Sequence, residues 1–137
     1  MKVSASGIIN FGSFPGKCFF STGYSFDELC QQLENQKCVD WLAALKNSKY
    51  LYDSENAGYV FHTEVKVKGR LLTYMFLILK KPFDFSDWAH QILSHEAIHL
   101  VTFNLSNMLD IVKENEAFAY THTHILDQCY SMLRNKK

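Results

Sequence analysis

Along the chain, apolar positions first come in short bursts broken by glycine. Gly7, Gly12, Pro15, Gly16 and Gly23 stand among aromatics in the first two dozen residues, a pattern of short strands and turns. From Ser25 the apolar spacing becomes helical. Ser25 stands three residues before Glu28, the pairing of a capping box, and Asp27 suits the positive N-terminal end of a helix. Leu29, Leu33, Val39, Leu42 and Leu45 then predict one helix with an apolar stripe, ending near the KNSKY segment.

At Tyr59 the period changes to two. YVFHTEVKV and RLLTYMFLIL are rich in β-branched and aromatic residues with Lys68-Gly69 between them, so they predict a β-hairpin. The second strand is apolar almost throughout, which predicts cover on both faces. Pro82 stops it, since proline cannot continue a ladder. The C-terminal third returns to helical spacing. Ser86 or Asp87 caps DWAHQILSHEAIHLVTFNL, and VKENEAFAYTHTHILDQCYSML forms a second long helix after a break near Leu109 to Ile111. The order β, α, ββ, α, α predicts an α+β domain with its chemistry on the penultimate helix.

Composition narrows the picture. At 137 residues the chain reads as one domain spanning 1–137, large enough to bury a core without disulfides. Fourteen basic residues balance fourteen acidic ones, so no overall field favours nucleic acid or an anionic membrane. No apolar run is long enough to span a bilayer, and the N-terminus lacks the apolar core of a secretion signal. Cys18, Cys30, Cys38 and Cys129 form no C-x-x-C pair, which excludes a cysteine zinc ribbon and predicts reduced, mostly buried thiols. The expected setting is the cytoplasm.

One segment carries chemistry. In SHEAIHLV, His95 and His99 lie four apart with Glu96 after the first. On a helix, positions i and i+4 share a face, so both imidazoles can hold one ion. Glu96 is rotated by about 100°, outside the ligand pair but within reach of water on the metal. That is the mechanical content of H-E-x-x-H: Zn2+ acidifies water and a carboxylate takes the proton. The surrounding Ile92, Ile98 and Val101 predict at least one partly buried histidine. For a third ligand the following helix offers Glu114 and Glu116. Glu116 is preferred because Ala119, one turn on, lets the helices approach; Glu114 reads as a solvated first-turn acid.

WAHQILSHEAIHLVTF followed by ENEAFAYTHTHI resembles the small zincin-like metallopeptidases encoded by tailed phages and prophages, in which H-E-x-x-H precedes a helix of the type E-A-x-A-Y. The match covers roughly residues 72–130. It implies the glutamate-zincin plan: a minimal zincin-like domain, with a small sheet packed on an active-site helix and a C-terminal helix. His95, His99 and Glu116 would be the zinc ligands and Glu96 the general base. It also implies a peptide or protein substrate, such as a phage structural or host regulatory protein. No extended segment stands out as a substrate-binding lobe, which sets this chain apart from efficient proteases. The rival expectation is a scaffold in which zinc pins two helices together without turnover.

Lesser candidates follow from helical projection. Tyr120 lies one turn after Glu116 and is a candidate for a substrate oxyanion, against the plainer role of packing between helices. His122 and His124 fall off the Glu116 direction and read as exposed. His90 reads as a surface residue, and His62 as lying on the solvated side of the hairpin. Trp41 and Trp88 read as core or interface anchors. The strand Leu71–Leu79 has a peptide-pairing reading, but its apolar run fits a central strand better.

Overall fold

The computed structural model describes residues 1–52, 56–106 and 113–136. Nine elements follow in order: β1 (Ala5–Phe11), β2 (Phe14–Thr22), α1 (Phe26–Asn35), α2 (Val39–Asn47), α3 (Lys49–Tyr52), β3 (Gly58–Val67), β4 (Arg70–Leu79), α4 (Asp87–Leu105) and α5 (Asn115–Asn135). The fold is α+β, with a mixed four-stranded sheet ordered β1-β2-β4-β3. Within each hairpin the strands are antiparallel, and the hairpins join through parallel pairing of β2 with β4.

The turn between β3 and β4 shows why the sequence made it legible. Lys68 (φ 51°) and Gly69 (φ 79°) both take the left-handed conformation that a two-residue hairpin loop needs. β4 lies inside the sheet, and Tyr74 to Leu79 are buried, so its apolar run is that of a strand covered on both faces. After β4, Phe83 exchanges two 2.8 Å backbone hydrogen bonds with Val3, holding the chain's return against its N-terminal segment.

Side-chain alternation sends the two sets of strand residues to two cores. Phe19, Tyr59, Phe61, Phe76 and Ile78 meet α1, α2 and Tyr52, with Trp41 buried at the centre. Ile9, Cys18, Phe20, Met75 and Leu77 meet α4 and α5. The predicted first helix is in fact two. Ser25 does close its capping box with Glu28, but Lys37 turns left-handed (φ 59°) and Cys38 N–H donates back to the Leu33 carbonyl at 2.9 Å, which ends α1. Val39 is consequently 72% exposed and stands outside the stripe. Cys30 therefore lies within α1 and Cys38 at the N-cap of α2. All four cysteines are free thiols, Cys18 and Cys129 buried and the others half-buried.

α4 begins at the expected cap, where Ser86 Oγ accepts from Ala89 N–H at 3.1 Å. The break expected near Leu109 to Ile111 lies outside the described residues. α4 packs over β3 and β4, and α5 over β1 and beside α4. Among the described residues no helix is long and apolar enough to cross a membrane.

Candidate metal centre between helix and sheet edge

At about 100° per residue, α4 divides into three flanks. Leu93, Ala97 and Leu100 are fully buried and face the sheet. Ile98, Val101 and Thr102 meet Phe118, Ala119 and His122 of α5. His95 and His99 occupy the third flank, over the edge formed by β3. Both histidines are exposed, against the expectation that one would be partly buried. The buried member of the motif is Glu96 (9% exposed).

His95 Nε2 and His99 Nε2 stand 3.0 Å apart, one ring N–H donating to the other nitrogen, with ring planes at 82°. Two imidazoles on a tetrahedral ion at 2.0–2.1 Å have nitrogens roughly 3.3–3.4 Å apart. The observed separation is a few tenths of an ångström shorter than that. Glu96 lines the same cleft, of about 700 Å³, with its Cγ beside Gly58 of β3. Its side chain is mostly covered, while its carboxylate oxygens reach the solvent of the cleft.

Glu116 is not brought to this pair. Among the described residues no group of three or more His, Cys, Asp or Glu stands close enough to hold a metal ion. The register of α4 on α5 gives the reason. Ala119 borders a hollow with Ile98 and Val101, and His122 Nε2–H donates to the Ser94 carbonyl at 3.2 Å. Both contacts put α5 on the flank of α4 away from β3. Glu116 lies exposed in the first turn of α5. Tyr120 is 78% exposed, so it neither packs between helices nor faces the cleft.

The other histidines are mostly engaged. His90 is half-buried and hydrogen-bonded through Nδ1 to the Tyr130 hydroxyl, with Phe83 and Phe85 around it, rather than a surface residue. His124 bonds to the Asn10 side chain at 2.8 Å. His62 is exposed and stacks on Phe103, ring centroids 4.3 Å apart. Burial pushes all four cysteine thiols up from their ordinary range, which favours the neutral thiol. Trp88 is 66% exposed at the rim of the cleft, not a core anchor. Its signal was present in the sequence: Trp88, Ile92, His95, His99 and Phe103 follow helical spacing along one face. The chain matches no known family, no curated protein and no solved structure.

Proposed function

We propose that the chain is a zinc-dependent hydrolase acting on peptide or amide bonds, on the zincin plan its motif resembles. The observation that carries this reading is the pair of Nε2 atoms 3.0 Å apart in a cleft that Glu96 also lines. His95 and His99 would hold the ion. Zinc held there would supply Lewis acidity and a more acidic bound water. Glu96 would accept the proton of the attacking water and return it to the leaving amine. Its Cγ lies beside Gly58 of β3, where a larger residue would crowd it.

An extended peptide would lie along β3. That strand is the edge of the sheet, and its outer side has no strand beside it among the described residues, so it can pair with a peptide backbone. β4 cannot take this role, being paired on both sides. The four free thiols suit a reducing compartment, and the proposal places the activity in the cytoplasm, on a phage structural or host regulatory protein. The scaffold alternative has less support, because the histidine pair stands on the flank of α4 away from α5.

Elemental analysis of protein purified without a histidine tag, beside peptide hydrolysis, tests the reading. Zinc of about one per chain is expected in the wild type and in Glu96→Gln, with hydrolysis lost in the latter and zinc lost in His95→Ala and His99→Ala. Glu116→Gln should keep its zinc. A wild-type content far below one per chain overturns the proposal.

A further inference from the structure

Resting on the peptide-cleaving reading, we infer that Trp88 and Phe103 are specificity-determining residues that select extended peptides carrying large apolar side chains near both ends of a span of about seven residues. The cleft does not stop at the histidine pair. Beyond His99 a second hollow follows, lined by Val60, Thr102 and Phe103; past Phe103 the surface opens onto β2 and β4, at Pro15 and Thr73. The stretch between α4 and β3 thus runs from Trp88 to Phe103.

Two exposed aromatics mark its ends. Trp88 is 66% exposed and Phe103 37%. A large aromatic left in water at a cleft rim is a contact surface waiting for an apolar group. Phe103 is also held flat by the His62 ring, stacked at 26°, which presents a rigid wall at low entropic cost. Fifteen residues separate Trp88 from Phe103, about 22 Å at 1.5 Å per residue. An extended chain covers that distance in about seven residues at 3.3 Å each. The midpoint of the histidine pair falls about 13 Å from the Trp88 level and about 9 Å from the Phe103 level. About four substrate residues therefore lie on the Trp88 side of the reacting bond and about three on the Phe103 side. An extended occupant is favoured over a helical one because the groove floor is a sheet edge, which only a β-conformation backbone satisfies.

Binding of blocked heptapeptides to Glu96→Gln, followed by calorimetry and by Trp88 emission, tests this independently of cleavage. The probe has phenylalanine at both ends and alanine and serine between; the comparison peptides have alanine at one end or the other. Each end replacement should raise Kd about tenfold. Trp88→Ala should abolish the preference at one end and Phe103→Ala at the other, with melting curves confirming that both variants fold. Equal affinity for all peptides, or preferences unchanged by both substitutions, overturns the assignment. If peptides bind with these preferences but the wild type neither holds zinc nor cleaves, the hydrolase reading fails and the groove assignment stands. If cleavage occurs without end preference, the reverse holds.

Discussion

Alanine in place of Gly58 puts one methyl group into the seam between β3 and α4. The added carbon would stand 2.8 Å from Ile92 Cγ2, 2.9 Å from Leu79 Cδ2 and 3.3 Å from Glu96 Cγ. The first two are closer than side-chain carbons pack. Ile92 is half-buried and can yield, but Leu79 is 5% exposed and has nowhere to go. Overpacking of this kind costs about 1–3 kcal/mol. Gly58 does not sit in the left-handed region, so alanine also restricts the unfolded chain and returns about 0.4–1 kcal/mol. The net destabilisation is about 1–2 kcal/mol. With an unfolding entropy of about 2.1 cal/mol/K per residue over this chain, Tm should fall by about 3–7 °C. Thermal unfolding by circular dichroism measures it, and adding Ile92→Ala should couple favourably, the double variant losing less than the two singles together. An unchanged or raised Tm in Gly58→Ala would refute the close packing of strand on helix, and with it the placement of Glu96 beside Gly58.

Phe76→Ala empties the middle of the sheet. Phe76 is fully buried and stacks on Phe61 at 4.9 Å, so urea unfolding should show a loss of about 3–5 kcal/mol; a loss below 1 kcal/mol would contradict a doubly covered β4. Glu28 gives a pH test. Hydrogen bonds from the Ser25 backbone and hydroxyl hold its carboxyl below the usual range. Its stabilising contribution is thus complete above the unfolded carboxylate pKa and is lost as pH falls through the lower folded value. Glu28→Gln should flatten the fall of Tm on acidification through that window, and an undiminished fall would place the acid sensitivity elsewhere.

What the sequence made legible was local. The limits of α4 follow from Ser86 as cap and from an unbroken helical spacing, and the β3–β4 turn follows from Lys68-Gly69. The end of α1 was hidden because Lys37 adopts a conformation lysine seldom takes, and no proline or glycine announces it. At the site, the i, i+4 geometry of His95 and His99 is intrinsic to a helix and could be read directly. The position of Glu116 could not. It depends on which flank of α4 receives α5, and that is settled by the packing of α5 across β1, far away in sequence. The exposure of Trp88 and Phe103 could not be read either, because nothing in the chain says that β3 is the edge strand beside them.

The parallel seam between β2 and β4 has a kinetic consequence. Each hairpin closes over a few residues, whereas the seam matches Cys18 with Met75 and Thr22 with Leu79, partners some 57 residues apart. Forming it requires the chain to close a long loop before the two cores gain their shared central strands. The hairpins can therefore form on the microsecond scale of local structure, while the overall rate is set by their docking. β3, which carries the floor of the groove, belongs to a unit that folds locally, and α4 can complete the cleft only once that unit is in place.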